Sequence, residues 1–210
     1  LKKLKEVNKR EIVEGVTEEY MDRRIHVLLD YVKEHSPYYK DHPEWTELKD
    51  FPVMTKGDFI ENYDQVLVDN SEEQGKLYRL STSGSTGTPF TVLCDGDKMS
   101  RVNMNFISCM ELNGFRMGMK RGEFRAWIKG KNTISKWKSF KNNLIMVDIS
   151  NMGDDSLEKI CQDIEKKKIQ VLVTYSSALT ALTQYLRKTH RDISKWDVEL
   201  VFSMGEALPQ

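Results

Sequence analysis

Between residues 124 and 202, apolar runs too short for helices alternate with stretches whose apolar residues recur at helical spacing, and this rhythm admits few folds. Residues 124–128, 144–149, 169–174 and 198–202 read as strands. Their apolar residues form runs instead of alternating, the mark of strands covered on both faces. Asp154 and Asp155 predict the cap of a helix with Leu157, Ile160, Cys161 and Ile164 on one face. Ser176 or Ser177 predicts the cap of the next, through Leu179, Leu182 and Leu186. Strand, helix, strand, helix, strand implies an α/β fold with mixed to mostly parallel sheets flanked by helices. Ligands of such sheets sit beyond the carboxyl ends of the strands, which puts residues 175–177 and 203–206 on the expected edge.

Nearer the amino end, Thr17 followed by Glu18 and Glu19 predicts a helix start. Met21, Ile25, Leu28, Leu29 and Val32 continue it, and His35-Ser36-Pro37 stops it. Residues 37–64 are aromatic and proline-punctuated and read as irregular. Residues 77–80 and 90–94 read as short strands, with Asp95-Gly96 as a turn. Asp97 is then the predicted cap of a helix to about Leu112, ended by Asn113-Gly114. The polar stretch 69–76 is the sharpest linker candidate, so the expected organisation is a helical and irregular segment over 1–76 packing on an α/β domain over 77–210.

Composition removes other classes. A chain of 210 residues, 39% hydrophobic and 30% charged, can bury a core without disulfides or metal. Cys94, Cys109 and Cys161 are odd in number and lack CxxC spacing, which argues against a disulfide framework or zinc knuckle and for a reducing cytosol. No run of about 18 apolar residues occurs, and the first ten residues are basic without an apolar block, so neither a spanning helix nor a secretory signal is read. A cytoplasmic protein without a membrane partner is expected. The sequence opens at Leu1 and stops at Gln210, just past an apolar run, and is read as a fragment of a longer protein.

Charge sums to zero but is unevenly spread. Residues 116–141 hold nine basic side chains and one acidic, Glu123, or 9 − 1 = +8, leaving (32 − 9) − (32 − 1) = −8 elsewhere. Trp127, Trp137 and Phe140 interleave with these lysines, a composition that suits a solvated basic loop, nucleic-acid binding, or attraction of a polyanionic small ligand. The basic run has no nucleic-acid fold signature, which ranks that partner low.

The segment around Ser81-Thr82-Ser83-Gly84-Ser85-Thr86-Gly87-Thr88-Pro89 carries the chemistry. Hydroxyls and glycines in this density make a poor helix and a poor strand. Glycines let successive backbone N–H groups point inward, and hydroxyls add donors, so such a segment can wrap a polyphosphate. It lacks the Gly-Lys-Ser/Thr ending of a Walker A loop and the GxGxxG of a dinucleotide fingerprint. A phosphate loop and a Ser/Thr-rich surface turn both remain open on these residues alone.

This segment resembles the phosphate-loop signature of the adenylate-forming enzymes. The surrounding sequence is similar to one branch, the phenylacetate-CoA ligases and their CapK-type capsular polysaccharide biosynthesis relatives. Ser36-Pro37-Tyr38-Tyr39 and Phe51-Pro52-Val53-Met54-Thr55-Lys56-Gly57-Asp58 look like that branch's early elements. Asn113-Gly114-Phe115-Arg116-Met117-Gly118 resembles the turn before its next strand, with Met119 where Asp is usual. Val173-Thr174-Tyr175-Ser176-Ser177 matches a Thr-Pro-Ser-Tyr-like element loosely, and Met204-Gly205-Glu206-Ala207-Leu208 resembles the Gly-Glu element at the adenine pocket.

The resemblance implies the N-terminal part of an adenylate-forming ligase fold, with 77–210 as an incomplete nucleotide-binding domain. It implies that a carboxylate attacks the α-phosphate of ATP to give an acyl-adenylate and pyrophosphate, and that coenzyme A then takes the acyl group. A second reading is adenylyl transfer to a non-CoA acceptor in capsule or coenzyme biosynthesis. By resemblance, Thr82, Ser83, Gly84, Ser85, Thr86 and Gly87 hold phosphates, Thr86 also stands in the Mg2+ environment, Gly205, Glu206 and Ala207 lie against adenine, and Tyr175 and Ser176 stand near the acyl pocket. The implied partners are a small-molecule carboxylate and a second copy in a homodimer. Thr88 stands where the branch often has Lys, and the Tyr-Gly-x-Thr-Glu element, the ribose-binding Asp and the catalytic lysine are expected past Gln210. The fragment itself is therefore expected to bind nucleotide weakly and not to turn over. The four histidines form no HExxH, and no nucleophile, base and orienter set is assembled.

Overall fold

The computed structural model describes residues 2–68, 77–81, 90–128 and 133–206, with side chains from residue 5 onward. The chain divides into two compact units, Leu1–Cys109 and Met110–Gln210. The polar stretch 69–76 lies outside the described residues.

The first unit opens with helices α1 (Lys2–Glu14) and α2 (Glu18–His35). Thr17 caps α2 as the sequence predicts, its hydroxyl accepting from the Tyr20 N–H at 3.2 Å. Residues 37–64, which read as irregular, instead hold three short helices, α3 (Pro37–Lys40), α4 (Lys56–Glu61) and α5 (Tyr63–Val66), and a 3-10 turn at Leu48–Asp50. Each is too short for a periodic signal; on α4, Thr55 and Asp58 form a reciprocal capping box, whereas α3 and α5 have no side-chain cap. Ser36, fully buried, donates to the carbonyls of Gln65 and Val66, both at 3.1 Å, and so ties the end of α2 to α5. Strands β1 (Tyr78–Ser81) and β2 (Thr91–Cys94) pair antiparallel, Ser81 opposite Thr91. The following helix α6 (Gly96–Leu112) is capped by Asp95, not by the expected Asp97: Asp95 Oδ1 accepts from the Lys98 N–H at 2.6 Å. Asp97 falls in the first turn, where its charge still suits the helix dipole.

The second unit holds β3 (Arg121–Arg125), α7 (Lys136–Lys141), β4 (Leu144–Asp148), α8 (Asp154–Lys167), β5 (Val171–Thr174), α9 (Ser176–Thr189) and β6 (Leu200–Ser203). The four strands form one wholly parallel sheet in the order β4-β3-β5-β6. All four residues of β5 are buried. Phe124, Val147 and Leu172 of the sheet pack with Leu157, Ile160, Cys161 and Ile164 of α8 and with Leu182 and Tyr185 of α9. Burial pushes the Cys161 thiol up to about 11, as expected of a small core residue.

Two expectations need correction. The acids at the start of α8 are its first turn, and the cap position is Gly153. The first strand of the sheet begins at Arg121 and ends at Arg125, three residues before the expected run, because charged residues occupy its interior. Arg121, Glu123 and Arg125 share one face of the strand at a spacing of two. The Glu123 carboxylate, 9% exposed, lies 2.9 Å from Arg121 Nη2 and 3.4 Å from Arg125 Nε. This pairing lets a strand without an apolar signature enter the core. Glu123→Ala removes the carboxylate that pairs with Arg121, itself 13% exposed, and should cost about 3 kcal/mol. A urea-unfolding midpoint unchanged from wild type would refute this role.

Candidate functional site

The order of the sheet reverses between β3 and β5, since the chain runs from β3 out to β4 and then returns to the other side of β3. In open parallel sheets the crevice beyond the carboxyl ends at such a reversal is the binding position. On this edge β3 leads to Trp127, β4 to Ser150, β5 to Tyr175 and Ser176, and β6 to Gly205 and Glu206.

The edges of β5 and β6 are joined by a polar cluster. Thr174 pairs with Ser203, and the Met204 N–H donates to the Thr174 carbonyl at 3.0 Å, extending the ladder beyond the strand. Ser176, 2% exposed, has its Oγ 2.7 Å from Ser203 Oγ and 3.2 Å from the Glu206 carbonyl. A serine has one hydroxyl proton, so Ser176 donates to the carbonyl and Ser203 donates to Ser176. The Glu206 carboxylate accepts from the Ser177 N–H at 2.7 Å and from Ser177 Oγ at 3.0 Å. Helix α9 has no side-chain cap of its own at Tyr175, so neither Ser176 nor Ser177 acts as the expected cap. The Glu206 carboxylate fills that role across 29 residues of sequence, meeting the positive end of the helix dipole. Hydrogen bonding, first from the Ser177 backbone and then from its hydroxyl, holds the Glu206 carboxyl below its ordinary range.

Gly205 completes the turn. Its φ of +76° lies in the left-handed region, and a Cβ there would come within 3.1 Å of Tyr175 Cε1. The Tyr175 ring thus lies close against the backbone of Gly205, and Tyr175, Ser176, Gly205 and Glu206 form one constellation. The remaining predicted residues, Thr82, Ser83, Gly84, Ser85, Thr86, Gly87 and Ala207, lie outside the described residues. The flank of that segment is described: Ser81 Oγ and Thr91 Oγ1 are 2.7 Å apart at the paired ends of β1 and β2. Among the described residues no group of three His, Cys, Asp or Glu could hold a metal ion.

Sequence reasoning missed Ser177 and Ser203 as working members of the cluster, although both stood in the loops assigned to this edge. It also missed a second polar edge on β3 and β4. There Trp127 Nε1 reaches the carbonyls of Glu123 and Val147 at 3.1 and 3.2 Å, and Asp148 Oδ1 accepts from Ser150 Oγ at 2.6 Å. A tryptophan in a basic run offers no sign that its ring nitrogen bridges two strands.

Two outcomes follow from this geometry. Gly205→Ala forces both the left-handed backbone and the ring contact, and should destabilise the chain by about 1–3 kcal/mol, measured by urea unfolding. Because the folded-state pKa of Glu206 is depressed, its contribution is fully present above the ordinary carboxylate value and is lost as pH falls through the folded pKa. Glu206→Gln should accordingly be less stable than wild type at neutral pH, and the difference should close on acidification. A difference independent of pH would show that the carboxylate charge is not what holds the turn.

No family model matches the chain. It is 22% identical over 191 residues to Protein CapK of Staphylococcus aureus, covering 84% of this chain and 42% of that protein. Among solved structures it resembles an open conformation of 2-hydroxyisobutyryl-CoA ligase in complex with 2-HIB-AMP and CoA, with a TM-score of 0.65 and 16% identity over 90% of this chain and 44% of the ligase. The same ligase in its thioesterification state gives a TM-score of 0.63 at 16% identity, over 91% and 44%. The chain thus spans under half the length of the proteins it matches. Over that span its sequence is similar to CapK and its α/β fold to that of 2-hydroxyisobutyryl-CoA ligase.

Proposed function

We propose that the chain is the ATP-loop-bearing part of an enzyme that activates a carboxylate as its acyl-adenylate and passes the acyl group to coenzyme A. The observation that supports this most is the clasp at the carboxyl edge of β5 and β6, where Gly205 leaves backbone bare beside the Tyr175 ring and Glu206 is pinned to the start of α9. A planar base could lie against such a surface without displacing a side chain. Gly205, Glu206 and Ala207 are the proposed adenine segment, with Tyr175 and Ser176 toward the acyl group. Glu206 acts here as a positioning residue: both its oxygens are engaged by Ser177, so it holds the turn in place.

The phosphate end is proposed at Thr82, Ser83, Gly84, Ser85, Thr86 and Gly87 from their resemblance to the phosphate-loop signature of the adenylate-forming enzymes. Backbone N–H groups freed by glycine and flanking hydroxyls suit the β- and γ-phosphates, whose charge must be neutralised for pyrophosphate to leave in line. Mg2+ supplies further charge neutralisation when bound, and Thr86 offers the hard oxygen ligand such a cation favours. Soluble carboxylate, ATP and CoA are the proposed partners, and homodimerisation is proposed with them.

Protein carrying this chain, given ATP, Mg2+ and a panel of carboxylates, should release pyrophosphate with at least one acid. Ser85→Ala with Thr86→Ala should lower kcat/KM for ATP by about 100-fold, the typical loss on removing preorganised donors from a transition state. Mass analysis of the product separates an acyl-CoA from another adenylylated acceptor. Absence of pyrophosphate release, together with unchanged nucleotide affinity in the double variant, sinks the assignment.

A further inference from the structure

Helix α7 is turned inside out. Ser135 caps it, accepting from the Lys138 N–H at 3.3 Å, and Ser139 Oγ donates to the Leu144 carbonyl at the start of β4. Just before the helix, the Ile134 N–H meets Met146 Sδ at 3.4 Å. The side fastened to the sheet thus carries a hydroxyl, and the aromatic side chains face water: Trp137 is 70% exposed and Phe140 83%. Three residues apart on a helix, these two rings share a face. Lys136, Lys138 and Lys141 are exposed around them, with the Lys141 ammonium 5.2 Å from the centre of the Trp137 ring. No acidic residue occurs between Glu123 and Asp148 to offset them.

The occupant of such a face must be negative where the lysines end and apolar where the rings point. A nucleic-acid strand meets the first condition and asks for ring faces set as a platform along a groove. Here the two rings stand beside one another on one short helix. A bilayer carrying anionic phospholipid meets both conditions: headgroup phosphates for the ammonium groups at the ends of their flexible stems, and the acyl boundary for Trp and Phe. We propose that α7 is a peripheral anchor that docks this unit on an anionic lipid surface, Trp137 and Phe140 entering the interface between Lys136, Lys138 and Lys141. The contact lies on the surface and involves no spanning segment; no helix of the described residues is long and apolar enough to cross a membrane. The inference stands apart from the adenylate chemistry.

The test is flotation of the purified chain with vesicles of phosphatidylcholine alone and of three parts phosphatidylcholine to one part phosphatidylglycerol. Binding should appear only with phosphatidylglycerol and should fall as salt screens the headgroups. Lys136→Gln, Lys138→Gln and Lys141→Gln should each weaken it roughly fivefold, and Trp137→Ser with Phe140→Ser should abolish it while circular dichroism shows the fold retained. Failure to float, or flotation indifferent to these variants, overturns the proposal. Dimerisation lost in Trp137→Ser without vesicle binding overturns it in favour of a second copy. Tighter binding of oligo-dT than of vesicles, lost in the same variants, overturns it in favour of nucleic acid.

Discussion

Everything in the second unit hangs on β5, whose four residues are buried on both faces while its backbone bonds to parallel neighbours on both sides. A strand so placed has no free edge and no solvent face, so its register against β3 and β6 is over-determined. The consequence appears at its carboxyl end. Thr174 and Ser203 emerge side by side, and the two loops that follow leave a crowded interior at one spot. Their polar groups must then satisfy one another. The Ser176 and Ser203 hydroxyls, the Glu206 carbonyl and the Ser177 N–H do so in a chain of short hydrogen bonds. The geometry of the site is therefore a by-product of burying β5.

This dependence explains why the fold was legible and the cluster only partly so. Val171, Leu172 and Val173 form an apolar run that reads as a covered strand, and the amphipathic faces of α8 and α9 read as its cover. The parallel sheet follows from that alternation. The strand β3 was harder, since Arg121, Gly122 and Glu123 carry no apolar signal, and only the neutralisation of Glu123 by two arginines makes its burial tolerable. Pattern recognition weighs residues one at a time, whereas burial here is a property of a charge triplet.

The caps illustrate the same limit. Thr17 caps from within its own helix start and was legible, because donor and acceptor are three residues apart. Glu206 caps α9 from 29 residues away, and no local rule connects them. Ser36 carries a similar hidden load: in sequence it is a helix stop before proline, in the structure a buried hydroxyl bridging to Gln65 and Val66. Neither long-range hydrogen bond is written in the short string that contains it, Ser36-Pro37-Tyr38-Tyr39 or Met204-Gly205-Glu206.

In the proposed nucleotide site, Glu206 would belong to the adenine segment without facing the ligand, since both its oxygens are taken by Ser177. A carboxylate beside a nucleotide would repel the phosphates unless a cation intervened. With both oxygens turned to Ser177, the negative charge instead meets the amino end of α9, where the dipole is positive, and the backbone of Gly205 is what remains presented beside Tyr175. The charge is spent on fixing the turn, and the turn exposes peptide groups, which are neutral, planar and able to hydrogen-bond a base edge. An aspartate in its place would reach about one methylene less far, and the gap would open at the Ser177 N–H, the donor with no other cap in α9. Chain length at this position, as much as charge, is what the two-oxygen grip requires.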